Sequence, residues 1–175
     1  MASRKLITSH AERRMGAPTT PQPLQAATRG GVRLTPSDLP PDRVELRWRQ
    51  RLDSLQRALR QLQAALAAHA SDPDNEVIGM AVIKAYEFSF ELGWKTLKDL
   101  LAYEGIDAPL PRQVIREAFA ANLVRNGQIW IDMLEQRNLM AHTYDIQRAQ
   151  RALTMIQGSF APALLELARD LEDRP

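Results

Sequence analysis

Apolar positions along this chain recur with the period of a helix, not of a strand. From Arg43 onward Trp48, Leu52, Leu55, Leu59, Leu62 and Leu66 are spaced by 4, 3, 4, 3 and 4, a heptad seam on a surface otherwise rich in Arg, Gln and Ala. Too few heptads fit for an intermolecular coiled coil, so the seam predicts an intramolecular helical hairpin. The cluster Ser71-Asp72-Pro73-Asp74-Asn75 ends this helix near Ala70, because it gathers turn and N-cap residues. A second helix, Glu76 to Glu104, is apolar over most of its circumference (Val77, Ile78, Met80, Val82, Ile83, Phe88, Phe90, Leu92, Trp94, Leu97), the signature of a central helix. Its polar residues Lys84, Glu87, Glu91, Lys95 and Lys98 nonetheless form one narrow stripe. By spacing alone this is a solvated face with Glu91 and Lys95 as an i,i+4 pair.

Gly105 and the run Asp107-Ala108-Pro109-Leu110-Pro111 close the second helix, and Pro111 suits the first position of a short third helix ending near Asn122. Asn126-Gly127 predicts a turn before a fourth helix carrying Trp130, Met133 and Leu134. The fifth begins after Tyr144, with a seam from Ile146 and Ala149 through Leu153, Ile156, Phe160 and Leu164 to Leu171. Within it Gly158 and Pro162 predict a kink or break. The expected fold is all-α, an up-and-down bundle of four to five helices over 43–175.

Composition extends this picture at two points. Residues 1–42 hold six of the 11 prolines and no sustained apolar periodicity, which predicts a disordered tail. That tail carries six Lys/Arg against three Asp/Glu and reads either as a passive extension or as a basic arm touching RNA phosphates. The whole chain, 175 residues with a formal charge of +2, is too near neutrality for bulk charge to argue nucleic-acid binding. The absence of cysteine excludes disulfides, thiolate metal sites and thiol catalysis, and makes the cytoplasm the expected compartment. No apolar run suits a bilayer span or a signal peptide, so a soluble protein that is not exported is expected.

Walker loops, GxGxxG, HExxH and metal-site spacings are missing, so neither a metal nor a cofactor is expected. His10 falls in the tail and His69 at the end of the first helix, each expected to be solvated. His142 differs, because Arg137, Asn138, His142 and Tyr144 gather near a helix end. On a regular helix Asn138 and His142 share a face, whereas Arg137 lies about 140° around the axis. This set suffices for metal-independent RNA cleavage. An imidazole, with an ordinary pKa of about 6.5, moves a proton at neutral pH. A guanidinium holds a phosphate oxygen and stabilises its developing charge. Two copies in a symmetric homodimer would supply both acid and base. The competing reading is that Arg137 and His142 cap carbonyls at the helix C-terminus.

The segment RNLMAHTYD, with Arg137, His142 and Tyr144 in an Arg-x4-His-x-Tyr arrangement, resembles the motif of the HEPN superfamily (higher eukaryotes and prokaryotes nucleotide-binding). YEFSFELGWKTLKDLL at 86–101 and PRQVIREAF at 111–119 are similar to signatures of its nucleotidyltransferase substrate-binding branch, and the likeness covers about residues 43–170. The resemblance implies a dimerising all-α bundle paired with a minimal nucleotidyltransferase, as in toxin-antitoxin modules. Related HEPN members are ribonuclease toxins that the partner neutralises by adenylylating the motif tyrosine. Carried over, this makes Arg137 and His142 active residues, Asn138 a supporting polar group and Tyr144 the modified hydroxyl, with RNA or a nucleotide as substrate. It also turns Glu87, Glu91 and Lys95 into a partner or substrate contact surface, with Trp94 and the phenylalanines left to the core. Two departures concern helix ends. Leu110 stands where a serine-like cap is usual, and Ala121-Asn122-Leu123-Val124 lacks the glycine expected after the third helix.

Overall fold

The computed structural model describes residues 41–140 and 146–174. The expected tail, 1–42, falls outside the described residues up to position 40, as do His142 and Tyr144. Described residues form helices α1 (Pro41–Ser71), α2 (Glu76–Tyr103), α3 (Pro111–Ala120), α4 (Gly127–Met140), α5 (Ile146–Met155) and α6 (Ala161–Glu172), with a π-helical turn (Ile156–Phe160) joining the last two. The fold is the all-α bundle that the periodicity implies.

The heptad seam of α1 lies along α2, with Trp48, Leu52, Leu55, Leu59 and Leu62 all buried. The connection is short because Asn75 starts α2 at once: its side-chain oxygen accepts the backbone N–H of Val77 and Ile78 at 3.2 and 3.3 Å, and its amide donates to Asp72. A capping oxygen satisfies amides that have no partner within the helix. Halfway along α2, Gly93 lets the backbone approach closely. A Cβ there would meet Leu164 at 3.0 Å and the Trp130 ring at 3.2 Å, so this contact sets how α4 and α6 close on α2.

Both departures at helix ends have a physical resolution. Leu110 precedes α3 without a side-chain cap, and Pro111, which has no N–H to satisfy, occupies the first position. After α3 it is Asn122 that takes the left-handed conformation, at φ 56°. Leu123 N–H then bonds the Ala118 carbonyl at 2.8 Å and Asn122 N–H that of Phe119 at 3.1 Å. Gly105 (φ 82°) ends α2 with the same paired bonds, so asparagine replaces glycine without loss of the motif. Asn126-Gly127 is a cap where the sequence suggested a turn, since Asn126 accepts the N–H groups of Gln128 and Ile129.

The break expected near Gly158 and Pro162 is the π-helical turn. Proline has no N–H, and its ring crowds the carbonyl four residues back, here that of Gly158. The chain widens instead, Ala161 N–H bonding the Ile156 carbonyl five residues back, and α6 continues as a regular helix.

The core is layered on α2. Tyr86 stacks on Phe90 and Phe160, with ring centroids 6.3 and 5.4 Å apart, and its hydroxyl donates to the Met133 carbonyl at 3.0 Å. Burial, followed by the charge of Glu87, raises the Tyr86 pKa far above the ordinary phenol value, so this hydroxyl stays a donor. One expectation fails on this helix. Phe88 is 58% exposed, because α1 and α3–α6 surround α2 on the other sides and leave the stripe of Val77, Met80 and Phe88 uncovered.

Candidate functional site

The polar stripe of α2 meets the C-terminal end of α4. Glu91 is the centre of this junction. One of its oxygens pairs with Lys95 at 2.7 Å. The other accepts the Trp94 indole N–H at 3.0 Å and lies 3.9 Å from the Arg137 guanidinium. Burial alone would raise the Glu91 pKa. Hydrogen bonds from Lys95 and Trp94, with the charges of Lys95 and Arg137, outweigh it and hold the carboxyl below its ordinary value. Glu91 is therefore an anion at neutral pH, fixed on one helix and facing a cation on another.

Arg137 stands in the last turn of α4 with its side chain 47% exposed, and it also donates to the Asn138 side-chain oxygen at 3.4 Å. A guanidinium with five donors, steadied by one carboxylate and one amide, retains capacity for an incoming phosphate or carboxylate. The last turn of a helix also favours a cation, so position and charge agree. Upstream on α4, Glu135 pairs with Arg112 of α3 at 3.0 Å.

Of the residues singled out by sequence, Arg137, Asn138, Glu91 and Lys95 are brought together. Glu87 is not part of this cluster, because it pairs with Lys84 at 2.9 Å. His142 and Tyr144 follow the C-terminus of α4 and lie outside the described residues. Trp94, assigned to the core by preference, is half-buried and donates its indole N–H into the site. The i,i+3 spacing of Glu91 and Trp94 was the available signal. No group of three or more His, Cys, Asp or Glu with metal-site geometry occurs among the described residues. Among them, too, no helix is long and apolar enough to cross a membrane.

The all-α bundle of the described residues and the Arg137-x4-His142-x-Tyr144 sequence at the end of α4 are those of the HEPN class. Residues 50–173 match the family model described as "Nucleotidyltransferase substrate binding protein like", and the chain belongs to this family. It is also similar to the "Probable ribonuclease HepT" of Haemophilus influenzae, at 29% identity over 79 residues, 42% of this chain and 54% of the relative. The chain thus spans about half the length of the curated relative it matches.

Proposed function

We propose that the protein is the HEPN subunit of a two-protein module and binds a minimal nucleotidyltransferase as its partner. The family membership supports this pairing, and the stripe of Glu87, Glu91 and Lys95 offers charged groups for the contact. A second reading adds an activity: metal-independent cleavage of RNA, held in check when the partner adenylylates Tyr144. The observation favouring it is the exposed guanidinium of Arg137, steadied by Glu91 and Asn138 five residues before His142.

In that reading Arg137 holds a phosphate oxygen, the 2′-OH attacks the phosphorus, and His142 accepts its proton. A second His142 in a homodimer returns a proton to the leaving 5′-oxygen. The uncovered stripe of Val77, Met80 and Phe88 gives a second copy an apolar surface to cover. The experiment is RNA cleavage by the purified protein. His142→Ala and Arg137→Ala should each lower it by about 10²-fold or more with circular dichroism unchanged, and EDTA should leave it intact. Full cleavage by His142→Ala, or loss with chelator, would reject the ribonuclease and leave the pairing. Coexpression with an active nucleotidyltransferase should add nucleotidyl mass to the wild type and none to Tyr144→Phe. Failure of the two proteins to copurify would reject the pairing.

A further inference from the structure

At the junction of α2 and α4 two cations, Lys95 and Arg137, share the carboxylate of Glu91, and Lys95 has no task in the proposed cleavage. Each oxygen of Glu91 faces a different cation: Oε1 lies 2.7 Å from Lys95 Nζ, and Oε2 lies 3.9 Å from Arg137 Nη2. A phosphodiester offers a pair of cations the same pattern, one negative charge spread over two oxygens. In charge and in oxygen arrangement the carboxylate therefore stands in for a backbone phosphate.

Exposure decides which members of the cluster can leave it. The Lys95 and Arg137 side chains are 40 and 47% exposed, whereas Glu91 is 33% exposed and keeps a neutral donor, the Trp94 indole N–H at 3.0 Å. When an anion arrives, both long cationic side chains can turn outward to it while Glu91 stays on α2 with one hydrogen bond retained. Exposed ion pairs are held only weakly, because water and salt screen them, so a phosphate can compete with the carboxylate. Lys95 suits such an exchange, since its ammonium carries three donors on a flexible stem. Its Nζ also lies 5.7 Å from the centre of the Trp94 ring, an attraction that favours the ammonium beside this indole.

The other lysines of the stripe are engaged elsewhere. Lys84 pairs with Glu87 at 2.9 Å, and Lys98 donates to the Pro109 carbonyl at 3.2 Å. Of these three lysines, Lys95 is the one that shares its anion with Arg137.

We propose that Lys95 and Arg137 form a two-cation clamp for a phosphodiester of RNA, and that Glu91 occupies this clamp until RNA displaces it. Lys95 is then a substrate-binding residue, and Glu91 is a built-in competitor that lowers affinity for the substrate. The proposal rests on the ribonuclease reading, and its test separates the two.

The full chain carrying His142→Ala, which prevents turnover, is titrated with a fluorescein-labelled single-stranded RNA 12-mer at several salt concentrations and followed by fluorescence anisotropy. Adding Lys95→Ala should weaken binding about fivefold and flatten the slope of log affinity against log salt by about 0.7, the loss of one phosphate contact on a single strand. Lys84→Ala removes the same charge about 16 Å away along α2, past the screening length of about 8 Å, and should leave binding within about twofold. Glu91→Gln should tighten binding about threefold. In that background Lys95→Ala should cost more than it does alone, because the ammonium no longer has a competitor to return to.

A Lys95→Ala variant that keeps its melting temperature, its RNA affinity and its salt slope overturns the proposal, and if it loses a purified nucleotidyltransferase instead, the ammonium is a protein contact. Weaker binding by Glu91→Gln also overturns it, by making the carboxylate a support for Arg137 and not a competitor. Strictly additive effects of the two substitutions, or no RNA binding by the parent, do the same. The wild type is assayed for cleavage in parallel. Binding that follows the expected pattern without cleavage leaves the clamp standing and removes the nuclease, whereas cleavage with binding indifferent to Lys95 does the reverse.

Discussion

Two carboxylates on α2 have opposite settings. Asp99 is buried between α1 and α2, its side chain 4% exposed, bonded to Arg51 at 2.7 Å and facing Arg47 at 3.4 Å. Glu91, two turns earlier and one-third exposed, meets Lys95, Trp94 and Arg137 where α2 passes the end of α4. Around Asp99 the carboxylate itself is enclosed while Arg51 and Arg47 reach water, so removing the arginines would leave a buried anion poorly solvated. Around Glu91 water reaches the pair, and its partners remain free to exchange it for a ligand. The same chemistry is therefore architecture in one place and an adjustable site in the other, and exposure decides which.

The largest test of this contrast is at the enclosed pair and the core beside it. Phe90→Ala should lower unfolding free energy by about 3–5 kcal/mol, because it empties a packed position between Tyr86 and Trp130. Asp99→Ala should cost about 3 kcal/mol, at the lower end for a broken buried pair, since Arg51 keeps some access to water. Both are read by urea denaturation. A loss below 1 kcal/mol for Asp99→Ala would make that pair as dispensable as a surface one.

A mid-sized effect separates the two faces of the same helix turn. Tyr86→Phe removes the bond to the Met133 carbonyl and should destabilise by about 1–2 kcal/mol. Phe88→Asp, two residues on, should leave the unfolding free energy of the monomer within about 0.5 kcal/mol, and in the proposed homodimer it should shift sedimentation towards the monomer. A destabilised monomer would show that Phe88 packs within the chain after all.

These contrasts mark how far the sequence is legible. The heptad seam of α1, the cap at Asn75 and the interruption at Pro162 are local, and each reappears where spacing or covalent chemistry requires it. Arg137 and Glu91 were both identifiable, but from separate motifs. Their approach depends on how α4 crosses α2, which Gly93 sets through Trp130 and Leu164, and no spacing along one helix encodes that. Phe88 shows the same limit from the other side. Its apolar character is readable, whereas the lack, among the described residues, of a neighbouring helix on that side of α2 is a property of the assembled bundle. At the third helix, the left-handed position was expected to need glycine, and Asn122 fills it because a short amide side chain tolerates that conformation.

The smallest expected effect is also the most specific to the open site. Glu91→Gln keeps the size and a hydrogen-bond acceptor for Trp94, but removes the charge facing Lys95 and Arg137. At pH 7 it should cost less than about 1 kcal/mol, since water screens the pair. Because the folded-state pKa of Glu91 is lowered, its contribution is fully present above the unfolded carboxyl value of about 4.3. It declines as the pH falls from there through the lower folded value. The stability difference between wild type and Glu91→Gln should therefore shrink towards zero on acidification. Thermal melts of wild type and Glu91→Gln between pH 7 and pH 3 measure this. A Glu91→Gln difference that stays constant across the range would mean that hydrogen-bond geometry, and not charge, ties Glu91 to its neighbours, and that Arg137 is held by something other than the α2 carboxylate.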